Sequence, residues 1–339
     1  MNKTILATLP QCYSLTRLGF MGRDCLLAAS EGRGGEAVLI DLKERSAALV
    51  TGLAGGVMGM VPIPGADSEF IAIQRFYPVF CSEDAEIVRV RLRPSENGEI
   101  RAEVHRLLAL PFVHRIALCV LDKPMIVAAT LCSGKASTDD WSRPGAVYAL
   151  ETGSGLSRVL RKTVLIEGLH RNHGMYYRDA PNGGEMYISA DEGIYRLELG
   201  SMKYEKLSAQ PTGDIFVFDA DGDGQDELLA ISPFHGDRLM VLKRSGQGFD
   251  CRMQLPLNFG HALWAGRLGD SRCIISCERG GEKSTKLVLL TSDSGLSPWQ
   301  TVTIDSGVGA ANLVVVGDGE RLRLYCCNHA ADEIAEYTV

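Results

Sequence analysis

The sequence of 339 residues has almost no helical periodicity, since apolar residues rarely recur at three- and four-residue spacing. It lacks any apolar run near the ~18–20 residues of a membrane-spanning helix, and its longest runs, such as 287–290 and 313–316, are strand-sized. Lys and Arg never cluster, and acids outnumber bases 42 to 35, which excludes the footprint of a general nucleic-acid binder. HExxH, GxSxG, a P-loop and a GxGxxG opening a helix are all missing, so those enzyme classes find no support. No CxxC pair occurs among the ten cysteines, and Cys25, Cys119, Cys132, Cys273 and Cys277 lie in apolar runs, as small hydrophobes do. Free thiols and a reducing, cytoplasmic compartment are therefore expected. The opening Met1-Asn2-Lys3-Thr4-Ile5-Leu6-Ala7 lacks the long apolar core of a secretory signal and soon meets Pro10.

What the chain has is turns. Its 37 glycines, with Asp, Asn and Ser, separate short apolar or alternating runs, the pattern of an all-β chain. One unit reads clearly: an apolar strand at 215–218, a tight turn, a second apolar strand at 227–232, a polar loop, and an alternating strand at 238–243. The same grammar occurs at 17–20, 25–30 and 37–42; at 59–62, 70–74 and 87–92; and at 115–120, 125–130 and 146–150. It returns at 175–177, 185–189 and 193–197; at 263–266, 273–278 and 286–290; and at 312–316, 322–326 and 333–338. Seven copies in 339 residues give about 48 residues each, the size of a propeller blade. Further strands follow six of the copies, at 45–51, 100–110, 159–166, 203–209, 250–257 and 301–304. The seventh copy ends the chain without one, and the stretch 3–9 supplies it. The expectation is a single all-β domain over 1–339, a seven-bladed β-propeller whose ring is closed by the N-terminal strand, which removes an exposed edge. A pair of β-sandwiches would leave the sevenfold count unexplained.

One turn carries a metal pattern, Asp219-Ala220-Asp221-Gly222-Asp223-Gly224-Gln225-Asp226-Glu227. Oxygens at alternate positions, a glycine for the sharp turn and a closing acid suit calcium, in a loop shorter than an EF-hand. The stretch resembles the FG-GAP/VCBS class of propeller repeat. That resemblance implies a structural calcium held by Asp219, Asp221, Asp223, Glu227 and the Gln225 carbonyl. The equivalent turns at 64–67, 179–183 and 317–319 are degenerate, so at most one blade keeps the pattern. The alternative is a solvated turn that holds no ion.

The histidines carry the catalytic signal. The residues that open the first strands of the seven copies are Leu15-Thr16, Val57-Met58, His114-Arg115, His173-Gly174, Gly213-Asp214, His261-Ala262 and Ala310-Ala311. Three histidines in one structural column exceed what seven in 339 residues would place there by chance. In a propeller that column lies at the mouth of the central channel. The loop after each second strand opens on the same face and brings Gln74-Arg75-Phe76-Tyr77, Lys135, His235, Glu278-Arg279 and Asn328-His329. His114, His173 and His261 are thus candidate ligands of one divalent ion, with Gln74, His235 or His329 filling other positions. Imidazoles suit Zn, Fe, Ni or Mn rather than Ca. Such a metal polarises a carboxylate or ketone and acidifies the adjacent C–H. Arg75, Arg115 and Arg279 are candidates to hold anionic groups, and His235, His329, Tyr77 or Lys135 to take the proton. Phe76, Tyr77 and Trp141 offer faces for a sugar, and the loop 133–144 is the longest insertion, a candidate lid or dimer contact.

A propeller with histidines at its mouth is similar to the propeller sugar lyases and dehydratases, aldos-2-ulose dehydratase and oligogalacturonate lyase. The resemblance implies β-elimination on a small keto-sugar or sugar acid, with His114, His173, His261 and Gln74 as the carried metal positions. Neither nucleic acid nor membrane is expected as a partner. A propeller that binds a protein or a sugar ligand on one face without turnover is the alternative.

Overall fold

The second strand of each repeat is its most continuously apolar segment, and the computed structural model shows that strand buried on both faces. The structure describes residues 2–96, 98–120, 123–180, 183–290, 299–317 and 321–339. Pro181, Asn182, Asp318 and Gly319, parts of two of the degenerate turns, lie outside the described residues. The described residues form 28 strands and two single-turn 3-10 helices. None of the helices is long and apolar enough to cross a membrane. All ten cysteines are free thiols.

The chain divides into two compact units. The first unit takes Ile5–Asn172 and Asp332–Ile334. After β1 (Asn2–Thr8) come β2 (Cys12–Phe20), β3 (Arg23–Ser30), β4 (Ala37–Asp41) and β5 (Ala47–Thr51), an antiparallel meander. A second meander has β6 (Gly59–Pro62), β7 (Glu69–Gln74), β8 (Glu86–Pro94) and β9 (Ile100–Ala109). A short parallel contact, Val50 with Ile100 and Thr51 with Arg101, joins them into one eight-stranded sheet. Leu27, Leu39, Phe70 and Val88 pack between the two halves. Next come β10 (Val113–Val120), β11 (Pro124–Thr130), β12 (Gly145–Thr152) and β13 (Val159–Leu169) in a four-stranded sheet.

The second unit comprises Met1–Thr4, His173–Ala331 and Ala335–Val339. Its sheets are β14 (Gly174–Arg178), β15 (Glu185–Ala190), β16 (Gly193–Glu198) and β17 (Lys203–Ser208); then β18 (Asp214–Phe218), β19 (Glu227–Ser232), β20 (Arg238–Ser245) and β21 (Gly248–Pro256). They continue with β22 (Gly260–Leu268), β23 (Ser271–Glu278), β24 (Thr285–Leu290) and β25 (Gln300–Asp305). The last strands, β26 (Ala310–Gly317), β27 (Leu322–Asn328) and β28 (Glu333–Thr338), form a sheet in the order β1-β28-β27-β26. Lys3 pairs with Asp305 at 2.8 Å, and Asp305 accepts the Tyr337 hydroxyl at 2.8 Å, fastening the first strand's start to this sheet.

Within each sheet the gradient of burial follows composition. β19 (ELLAIS) is buried at every position, whereas the outer strands β17 and β25 are mostly exposed. A strand covered on both faces reads as an unbroken apolar run, and one with a wet face alternates. Leu229, Ile231 and Val241 pack against Ala265, Ile274 and Val288 of the next sheet. Each such burial contributes about 1.5–3 kcal/mol for a side chain of that size. The first strand of the first copy begins at Cys12, well before the apolar 17–20, because Ser14 and Thr16 interrupt the apolar signal although both are buried. Ser14 satisfies its hydroxyl by donating to the Val57 carbonyl at 2.7 Å.

Candidate functional site

Several first strands share an irregularity near their start. The register slips between Cys12 and Ser14, Val113 and Arg115, Gly260 and Ala262, and Ala310 and Asn312. The unpaired residue at two of these bulges is a histidine, His114 and His261. A bulge leaves one residue outside the ladder and re-aims its side chain. The histidine column is therefore a backbone feature as well as a sequence feature. His173 stands immediately before β14, where its N–H donates to the Ser189 carbonyl at 3.2 Å.

In the second unit three imidazoles meet. The ring centroids of His173 and His235 are 5.0 Å apart, those of His173 and His261 5.8 Å, and those of His235 and His261 5.2 Å. One ring nitrogen from each lies within 4.8 Å of those of the others. His173 and His261 are buried, at 1% and 3% exposure, and His235 is half-buried. They come from the starts of β14 and β22 and from the loop after β19.

Local sequence sets each ring. His261 Nδ1 lies 2.7 Å from the Ala311 carbonyl, so Nδ1 carries the proton and Nε2 keeps its lone pair. His173 Nδ1 is 3.6 Å from an Asp214 carboxylate oxygen. His235 has a left-handed backbone, φ 47°, in the run Pro233-Phe234-His235-Gly236. Its ring stacks with those of Phe234, centroids 3.9 Å apart, and Phe259, 4.4 Å apart. A Cβ on Gly236 would stand 2.1 Å from the Ser232 carbonyl oxygen, so no larger residue fits that turn. Gly260 N donates to Gly236 O at 2.9 Å, and Arg279 N to Phe259 O at 2.9 Å, tying the three loops together. The Arg279 guanidinium reaches within 3.5 Å of His261 Nε2. A cation there favours an anionic guest beside the histidines.

The three side chains suit a transition metal by type, since all are imidazoles, one tautomer is fixed by a carbonyl and one ring faces a carboxylate; for His261 to ligate, the Arg279 guanidinium would have to swing off Nε2. The cluster joins His173 and His261 to His235, a candidate for a further ligand position, while His114 lies in the first unit. His329 begins the 3-10 turn His329–Ala331 after β27 and is not one of the three.

The remaining candidates belong to the first unit. His114 is buried with its ring edge-on to Phe76, centroids 5.3 Å apart. Gln74 accepts Ala54 N–H at 3.1 Å and donates to Glu86 at 2.8 Å, so both ends of its amide are engaged as structural links. Arg75 donates to the same Glu86 carboxylate at 3.0 Å. Tyr77 lies under the Arg33 guanidinium, 4.8 Å from the ring centroid. Lys135 donates to Thr138 O at 2.5 Å and stands 3.2 Å over the Trp141 ring, and burial lowers its amine below the usual lysine range. The loop 133–144 is knitted by Asp140, which accepts Ala136 N and both donors of Ser142; those Ser142 bonds, chiefly, hold its carboxyl down to about 2.

The acidic turn is also in the second unit, between β18 and β19. Carboxylate oxygens of Asp219, Asp221 and Asp223 lie within 4.8 Å of one another. Asp219 accepts Gly222 N at 2.7 Å, Asp223 accepts Gln225 N at 2.8 Å, and the buried Glu227 accepts Ala220 N at 2.8 Å. Burial pushes the Glu227 carboxyl up to about 7. Sequence reasoning missed Lys243 here. Its ammonium donates to Asp221 and, at 2.7 Å, to Asp223. The signal was available: antiparallel register pairs Leu228 with Leu242, so the next residue on β20 faces Glu227.

No protein-family model and no curated relative matches the chain. Solved structures do. The β-propeller domain of Myceliophteria thermophila Cps50 (Swd1) aligns over 100% of both chains, with a TM-score of 0.62 and 10% identity. A 6-phosphogluconolactonase-like protein of Bacteroides uniformis aligns over 97% of this chain and 96% of its own, with a TM-score of 0.55 and 11% identity. Its counterpart from Bacteroides fragilis gives 0.54 and 9% identity over 97% and 95%. At such identities the likeness establishes the fold alone. The chain is a multi-bladed β-propeller.

Proposed function

We propose that the chain is a seven-bladed propeller, one domain closed by its N-terminal strand, that works as a metal-dependent carbohydrate lyase or dehydratase. The observation that supports the catalytic reading is the meeting of His173, His235 and His261 with donor nitrogens within 4.8 Å. The blade count rests on the sevenfold repeat and on the sheet order β1-β28-β27-β26. A divalent ion held by His173, His235 and His261 would supply Lewis acidity toward a carboxylate or carbonyl oxygen. The chain's own residues do the rest. Arg279 holds the anionic end of a keto-sugar or sugar acid, and Asp214 orients His173. With His235 among the metal donors, His329 takes the proton from the carbon next to the carbonyl. The C–H electron pair becomes a C=C bond, the β C–O bond breaks, and His329 passes the proton it took to the departing oxygen, which leaves as water or an alcohol. Sugar-directed chemistry agrees with the 6-phosphogluconolactonase-like neighbours.

Incubating the metal-loaded protein with keto-sugars and sugar acids tests this directly. Absorbance growing in the enone region, lost in His329→Ala with metal still bound, supports the assignment; no turnover across the panel by a metal-loaded protein contradicts it. A non-catalytic propeller binding a partner or a sugar on one face is the second reading, favoured by the likeness to the Cps50 propeller domain.

A further inference from the structure

The turn 219–227 has the sequence of a calcium loop, but the structure seats a different cation on its oxygens. We infer that the Lys243 ammonium is a built-in substitute for calcium, which makes this turn a metal-independent staple. The Asp221 and Glu227 side chains are fully shielded, at 0% exposure each, and the Lys243 side chain is 20% exposed. Its ammonium donates to Asp221, donates to Asp223 at 2.7 Å and stands 3.9 Å from Glu227. A calcium ion needs to approach those same oxygens to 2.3–2.6 Å, roughly where the ammonium sits. Two cations sharing that space would repel strongly in a shielded site. The fourth carboxylate is served separately. Arg272, from β23, donates through Nε to the Asp219 carbonyl at 3.0 Å and pairs with its carboxylate at 3.7 Å. The guanidinium lies so close over Gly222 that a Cβ there would meet it at 2.5 Å.

Two chain-borne cations, one from β20 and one from the neighbouring sheet, thus neutralise the turn. Both are tethered, so their local concentration does not depend on ions in solution. The loop keeps its ligand-like fold because an ammonium with three N–H donors can bridge carboxylates as a metal would, through hydrogen bonds instead of coordination. The arrangement makes a reversible substitution: removing the lysine leaves the carboxylates gathered and exposes them to a divalent ion.

The test is thermal unfolding of the whole protein and of Lys243→Ala, each in EGTA and in millimolar CaCl2, with calcium titrated calorimetrically into both. The wild type should melt at the same temperature in both buffers and give no stoichiometric binding heat. Lys243→Ala should lose several degrees in EGTA and recover most of them in calcium, binding about one ion per chain. A variant that folds only in calcium supports the inference equally. The inference is overturned if the wild type binds one calcium per chain and loses stability in EGTA. It is also overturned if Lys243→Ala is unchanged in EGTA, or if calcium gives it nothing back.

Discussion

Among the described residues, the histidine cluster and the acidic turn are the two places where the second unit gathers side chains able to hold a metal, and they are opposites. The histidines come from three separated stretches of chain, carry no formal charge as ligands, and have one guanidinium beside them at 3.5 Å. The acidic turn is one continuous stretch whose carboxylates already hold the ammonium of Lys243 and the guanidinium of Arg272. The motif is local and filled from within. The constellation is non-local, with one ring nitrogen of each histidine within 4.8 Å of the others and the Arg279 guanidinium beside one of them. A ligand pattern in sequence therefore says which atoms are near one another, and only the fold says what else reaches them.

Four variants would break or sharpen this contrast. The largest effect is expected from replacing His173, His235 and His261 together by Ala. Bound transition metal should vanish and turnover should fall at least about 10³-fold, while the acidic turn is untouched. Glu86→Ala comes next but in stability: with Gln74 and Arg75 released, chemical denaturation should show a loss of about 1–3 kcal/mol. Metal content there should stay at the wild-type level, since Glu86 is not one of the clustered histidines. Asp214→Asn removes the carboxylate beside His173 and should weaken metal affinity about 10–100-fold by equilibrium dialysis. Arg279→Lys keeps the charge but loses the fork, and KM for an acidic substrate should rise about 10-fold with the metal retained.

Much of the architecture was legible in the sequence. The runs read at 227–232, 238–243 and 185–189 coincide closely with β19, β20 and β15, because buried central strands are unbroken apolar stretches bounded by turn residues. The stretch 3–9 lies where the repeat required a further strand, next to β28. The histidine column was legible too, since a bulge recurs at equivalent positions and leaves His114 and His261 outside the ladder. What the sequence did not reveal was membership of the histidine cluster. His235 arrives there through a left-handed backbone at φ 47° and a glycine turn that tolerates no Cβ, neither of which alters apolar periodicity. Gln74 was a plausible ligand by type, but a buried amide must satisfy both its ends, and Glu86 and the Ala54 N–H already do so. Lys243 escaped notice because it lies on another strand, 16 positions beyond Glu227, and only register places it opposite.

Metal analysis of the purified protein tests the central claim most directly. After dialysis against trace Zn, Mn and Fe, inductively coupled plasma mass spectrometry should find about one transition-metal ion per wild-type chain. The His173/His235/His261→Ala variant, folded by circular dichroism, should retain none. Wild-type protein that holds no stoichiometric ion, or a triple variant that holds as much as the wild type, would contradict the account.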